Sequence, residues 1–284
     1  MLLIFTRVIN LQPQMITYPN AKINLGLNIT RKRADGYHDI VSVLYPVPLC
    51  DELGIIIAGD DKFSFVSTGL KIECGEADNL CVQAYQLLKN RFGLPAIKMK
   101  LKKIIPSGAG LGGGSADAAF VLRMLNEIFT LGLESDELKE LSALLGMDCP
   151  FFIDNVPALA TGRGDILKPA GIDLGGHTVC IVRPDIHIST SEAYAGITPH
   201  AGDLSPAALT DFSPSAWKGI LKNQFEDTLF PVYPVLEKLK TTFYDSGAVY
   251  ASLSGSGSAV YGIFTSAPKL KAKFAGMFYW EGEV

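Results

Sequence analysis

Residues 106–119 read PSGAGLGGGSADAA, with five glycines between Gly108 and Gly114. A helical period starts directly behind them, with Ala118, Leu122, Leu125 and Phe129 recurring at i, i+4, i+7 and i+11. Glycines allow backbone N–H groups to converge on an anion with no side chains in the way. A helix N-terminus adds unsatisfied N–H groups and the positive end of the helix dipole. A triphosphate is therefore the natural ligand class. Ser115 falls in the first turn, where its hydroxyl reaches a phosphate or a bound Mg²⁺.

Upstream, IKMKLKK (97–103) alternates, with a row of lysines expected to face solvent. No lysine precedes Ser115, so the Walker A pattern is absent. A lysine-rich alternating strand also differs from the buried parallel strand that precedes a Rossmann glycine turn. Downstream, Ser135 is the expected N-cap of a second helix, with Asp136 and Glu137 in its first turn and Leu138, Leu141 and Leu145 on its buried stripe. Gly146 is its expected stop, and GMDCPFF (146–152) carries Asp148 just beyond.

Nearer the N-terminus, KINLGLNI (22–29) alternates strictly. The period predicts a strand with Ile23, Leu25, Leu27 and Ile29 on one face and Lys22, Asn24, Gly26 and Asn28 on the other. A turn at Asp35-Gly36 then presents Tyr37 and His38 beside Arg31, Lys32 and Arg33. Residues 79–92 have helical spacing, with Asn79 or Asp78 as N-cap. In the second half, 177–184 reads as a strand and 199–215 as loop or short helix. Residues 223–243 are helical in part, and 248–253 and 259–264 form a strand pair around SGSGS.

The chain has 284 residues, 25 Lys and Arg against 29 Asp and Glu, and a net charge of −4. That balance argues against a dedicated nucleic-acid binder. The five cysteines are odd in number and lack CxxC spacing, and the four histidines are scattered. Reduced thiols in a cytoplasmic protein are expected, with no structural zinc and no metal-ligating cluster. No run approaches the roughly 18 apolar residues of a membrane span. Residues 1–14, ahead of Met15, are expected to be a loose extension or an unused upstream start.

The 106–119 segment resembles the phosphate-binding motif of the GHMP kinases, the superfamily of galactokinase, homoserine kinase and mevalonate kinase. AKINLGLNI (21–29), RKRADGYHDI (31–40), GMDCPFF (146–152), ATGRGDIL (160–167) and SLSGSGS (252–258) follow in the family's order. The set is most similar to the branch whose acceptor is 4-diphosphocytidyl-2-C-methyl-D-erythritol, in the non-mevalonate isoprenoid pathway. The resemblance implies an α+β, two-domain fold with a ribosomal protein S5 domain 2-like N-terminal domain and a ferredoxin-like C-terminal domain. The domains expected are 15–165 and 166–284, around one cleft, with the extreme C-terminus returning to the first.

It further implies ATP-dependent phosphorylation of the acceptor's 2-hydroxyl, with Asp148 as general base and Lys22 as its partner. Pro106, Gly108, Ala109, Gly110, Leu111, Gly112, Gly113, Gly114, Ser115 and Ala116 would bind ATP, with Mg²⁺ held mainly by the phosphates. Asn24, Tyr37, His38, Thr190 and Tyr194 would bind the acceptor. SGSGS at 254–258 would shape the loop. The partners implied are small molecules, without nucleic acid or membrane, for a monomer or weak homodimer. A mevalonate- or homoserine-type kinase is the alternative, and the DGYH turn speaks against it. A silent nucleotide-binding member is another, and the presence of both Lys22 and Asp148 speaks against that.

Overall fold

The computed structural model describes residues 15–200 and 213–284. The 1–14 extension and most of the 199–215 stretch lie outside the described residues. Three four-stranded sheets carry the fold.

In the first sheet, β1 (Met15–Thr17) pairs with β4 (Glu52–Ile57), β4 with β6 (Ile97–Lys103), and β6 with β5 (Ser64–Gly69). The β5–β6 pairing is parallel, so the strand before the glycine loop does have a parallel neighbour, contrary to the sequence expectation. Helix α1 (Leu80–Phe92) is capped by Asn79, whose side chain accepts from the Cys81 amide, and ends on left-handed Gly93. Helix α2 (Gly113–Ile128) packs beside it. Ala118, Leu122 and Leu125 are buried as the period predicts, together with Ile97, Met99 and Leu101 from β6. Helix α3 (Ser135–Ala143) starts one residue earlier than expected. Its N-cap is Glu134, whose amide donates to the Glu137 carboxylate, while Ser135 reaches Asp154 instead.

The second sheet orders β2 (Asn20–Lys32), β3 (His38–Cys50), β7 (Ala158–Thr161) and β8 (Ile166–Pro169). The third orders β10 (Tyr250–Leu253), β11 (Val260–Phe264), β9 (Thr178–Arg183) and β12 (Phe278–Glu283). Strand β9 turns Val179 and Ile181 towards the core it shares with β2 and β3. Its Cys180 and Val182 face α7 (Pro234–Asp245), which follows α6 (Glu226–Val232). The C-terminal strand β12 pairs with β9 throughout and so completes the third sheet, while Phe278, Trp280 and Val284 pack against the core that includes residues of β2 and β3.

Strand β2 departs from its sequence reading in one consequential way. Gly26 adopts φ 66°, and the register slips there, so that Leu25 opposes Val43 while Leu27 opposes Ser42. An extra residue in one strand reverses which face the following side chains occupy. Ile23 and Leu25 enter one core and Leu27 and Ile29 another. The expected single apolar face is thus two half-faces. Leu27 instead joins Lys22 and Asn24 on the wall of a cavity.

Candidate active site

Helix α2 makes its first intrahelical bond from the Ala116 amide to the Gly112 carbonyl, at 2.9 Å. The amides of Gly113, Gly114 and Ser115 precede that bond and have no acceptor within the helix. The loop ahead of them is held from the third sheet. The Ser254 hydroxyl donates to the Gly110 carbonyl at 2.8 Å, and the Ala259 amide to the Ala109 carbonyl at 3.1 Å. The SGSGS segment therefore sits directly on the glycine loop, as its expected shaping role requires.

Lys22 lies on the far side of this loop. Its amide donates to the Leu111 carbonyl. A Cβ on Gly112 would stand 3.1 Å from the Lys22 stem and 2.9 Å from the Phe152 ring, so glycine is what lets the three meet. The Lys22 ammonium is buried. It donates to Asn24 Oδ1 at 2.7 Å and lies 3.3 Å from the Asp148 carboxylate. Asn24 in turn donates to the Ser42 hydroxyl, which donates to the Gly26 carbonyl. Both ends of Asn24 are thus engaged by the protein, and it orients Lys22 from the wall of the cavity. Asp148 stands in the turn between α3 and α4 (Phe151–Asp154), fixed by Cys149 N–H to Gly146 O and Phe152 N–H to Cys149 O. Burial pushes the adjacent Cys149 thiol up to about 12, which leaves it an inert neighbour.

Two cavities meet at this pair. One, of about 610 Å³, is lined by Lys22, Asn24, Tyr37, His38, Asp148, Thr190 and Tyr194. The other, of about 590 Å³, is lined by Pro106, Ser107, the loop glycines, Ser115 and Asp148. Asp148, Gly110, Thr190 and Ser256 belong to both walls. At the outer end of the first cavity, His38 and Tyr194 stack with ring centroids 4.6 Å apart, and Arg163 lies over the Tyr37 ring. Burial and nearby Lys32 hold the His38 imidazole below its ordinary pKa. Two expected loop contacts do not face the second cavity. Leu111 is buried, and Ala116 is buried with its amide spent on Gly112.

The sequence reading missed Lys103 and Asp117. Lys103, expected in a solvated lysine row, is 3% exposed and ion-paired to both Asp51 and Asp117. The odd–even pattern held the signal, because Lys103 shares the parity of Ile97, Met99 and Leu101. Burial pushes the Asp117 carboxyl up to about 7, with Lys103 opposing the rise and Asp51 adding to it. Between about pH 4 and 7 the folded protein keeps a proton that the unfolded chain has released. Stability therefore falls as pH rises through that window, and the penalty is complete above it. Asp117→Asn, which leaves the Lys103–Asp51 pair in place, is expected to flatten the fall of Tm between about pH 4 and 8. Thermal unfolding of both proteins across that range checks this, and an unchanged slope would contradict it.

A family profile for the GHMP kinases N terminal domain matches residues 79–162, and one for the GHMP kinases C terminal matches 209–279. A 4-diphosphocytidyl-2-C-methyl-D-erythritol kinase of Bacteroides fragilis is 49% identical over 273 residues, covering 95% of this chain and all of the relative. The chain belongs to the GHMP kinases. It is an ATP-dependent small-molecule kinase with the two-domain α+β fold of that family. A relative of the same name from Bacteroides thetaiotaomicron is 51% identical over 88% of this chain and 92% of its own. A crystal structure of 4-(cytidine 5'-diphospho)-2C-methyl-D-erythritol kinase superposes with TM-score 0.79 at 29% identity, covering 94% of this chain and 98% of that one. A homoserine kinase from Cytophaga hutchinsonii shares the fold at TM-score 0.63 and 16% identity, covering 93% of each chain. No helix among the described residues is long and apolar enough to cross a membrane.

Proposed function

We propose that this GHMP kinase transfers the γ-phosphoryl group of ATP to the 2-hydroxyl of 4-diphosphocytidyl-2-C-methyl-D-erythritol. The observation that carries the reading is the Lys22–Asp148 pair, standing where a glycine-loop cavity joins an aromatic-ended one. A nucleotide in the glycine-loop cavity places its terminal phosphate at the junction. An acceptor in the aromatic-ended cavity places a hydroxyl there when its base occupies the far end. The names of the relatives supply the same acceptor.

In this mechanism Asp148 accepts the proton of the attacking hydroxyl, since a neutral alcohol is a weak nucleophile without a positioned base. Lys22, 3.3 Å from that carboxylate, offsets charge on the transferring group. Asn24 and Ser42 fix the ammonium so that no reorganisation is needed at the moment of transfer. The free amides of α2 hold the phosphates. Among the described residues no group of three or more His, Cys, Asp and Glu side chains is disposed to hold a metal. The cavity nevertheless offers hard oxygen donors, among them the Ser115 hydroxyl, which suits an Mg²⁺ ion that takes most of its ligands from ATP and water. When bound, that ion supplies neutralisation of phosphate charge.

Tyr37, His38 and Tyr194 receive the cytosine. Tyr194→Ala is expected to raise KM for the acceptor roughly 5- to 150-fold, the worth of one aromatic stack on a base. Tyr194→Phe should keep most of the affinity, and KM for ATP should not move in either variant. Steady-state kinetics with each substrate varied in turn checks the split. The acceptor itself is tested by following ADP release with Mg-ATP and, separately, the cytidine diphosphate ester, mevalonate and homoserine. Folded protein that turns over either of the last two, and not the first, would overturn the assignment.

A further inference from the structure

The wall of the glycine-loop cavity is short of positive charge. It carries the carboxylates of Glu73, Asp78, Asp117 and Asp148 and only two basic side chains, Lys103 and His187. Lys103 is already neutralised by two carboxylates in the buried cluster below the loop. Lys22 pairs with Asp148 and lines the other cavity. His187 is different. It is exposed, and among the described residues neither ring nitrogen has a hydrogen-bond or ion-pair partner. It comes from the segment between β9 and α5 (Thr190–Ala195), so it approaches the loop from the opposite half of the chain.

Its ring sits on the bare α-carbon of Gly108. A Cβ at that glycine would stand 3.4 Å from both His187 Cε1 and His187 Nδ1. The flanking backbone is anchored on both sides. The Ser258 hydroxyl donates to the Ile186 carbonyl at 2.7 Å, and the Ile188 side chain is buried in the core beneath the third sheet. The imidazole is thus held over the entrance of the phosphate loop with its nitrogens free.

We propose that His187 is a nucleotide-binding residue that donates a hydrogen bond to the polyphosphate of ATP, closing the glycine loop from the opposite half of the chain. This rests on the protein being an ATP-dependent kinase and not on the identity of the acceptor. A polyanion beside Glu73 and Asp78, the two lining carboxylates with no lysine partner among the described residues, draws on every available donor, and a hydrogen bond to a charged phosphate is stronger than one between neutral groups. His187 therefore supplies the side-chain donor that the loop amides lack.

The test uses the full chain and His187→Ala, with His187→Gln as the variant that keeps an N–H donor. Binding of ATP, ADP and adenosine is measured by calorimetry, with adenosine as competitor where its own signal is weak. Steady-state KM values are measured in parallel. The expected result for His187→Ala is a roughly 10-fold loss of affinity for ATP and ADP. Adenosine affinity, KM for the acceptor and Tm should be unchanged, and His187→Gln should recover part of the loss. Unchanged ATP affinity in His187→Ala, or an equal loss for adenosine, would overturn the proposal. Because the readout is nucleotide binding, an error in the assigned acceptor leaves it intact.

Discussion

Asp148→Asn is expected to lower kcat by roughly 10²- to 10⁴-fold, the usual contribution of a positioned general base, while ATP still binds. Asparagine has the same shape and keeps an oxygen near Lys22, but it cannot accept the hydroxyl proton. The Lys22 ammonium is buried and loses its carboxylate, retaining only the bond to Asn24 at 2.7 Å. Some loss of stability therefore accompanies the loss of rate. The two effects separate experimentally, because the proposed nucleotide contacts are the α2 amides and the loop rather than this pair. Calorimetry with ATP and single-turnover phosphoryl transfer should show binding without chemistry. A variant retaining most of its rate would remove Asp148 from the role of base.

Gly110→Ala is expected to abolish ATP binding and lower Tm by roughly 5–15 °C. Gly110 has φ 75°, and an added Cβ would lie 1.9 Å from the Ser254 carbonyl oxygen. The left-handed backbone alone costs a side chain about 1–2 kcal/mol. The overlap falls on backbone that cannot rotate away, so overpacking adds about 1–3 kcal/mol more. The glycine loop and SGSGS must then separate, and the Ser254–Gly110 and Ala259–Ala109 bonds go with them. Gly114→Ala is the control. Its Cβ would meet only Leu80, at 3.9 Å, with no positive φ. That variant should stay folded and bind ATP. Equal tolerance of both substitutions would mean that close approach does not constrain the loop.

Much of this molecule is legible locally. The glycine loop, α1 with its Asn79 cap, the strands on either side of SGSGS and the Asp-Gly turn all follow from short-range chemistry. The errors share one cause. At β2 the alternation is real, but a bulge at Gly26 changes the face of Leu27, and a bulge is defined by its partner strand. At β6 Lys103 sits on the buried parity, yet nothing local reveals the Asp51 and Asp117 carboxylates that make burial of its charge tolerable. The cap of α3 moved one residue because Asp154, distant in sequence, drew the Ser135 hydroxyl away.

The sequence by itself determined the family, the glycine loop and the residue types proposed for the chemistry, because each is encoded in a contiguous motif whose backbone requirements are local. Only the tertiary structure decided the partnerships. Lys22 meets Asp148 because Gly112 removes the side chain that would stand between the Lys22 stem and Phe152. His38 meets Tyr194 because strand β3 and helix α5 converge on one cavity. His187 reaches the glycine loop from the third sheet because Ser258 and the buried Ile188 fix the backbone on either side of it. Such contacts join segments far apart in the chain. They are set by how the sheets pack, which no single stretch of sequence specifies.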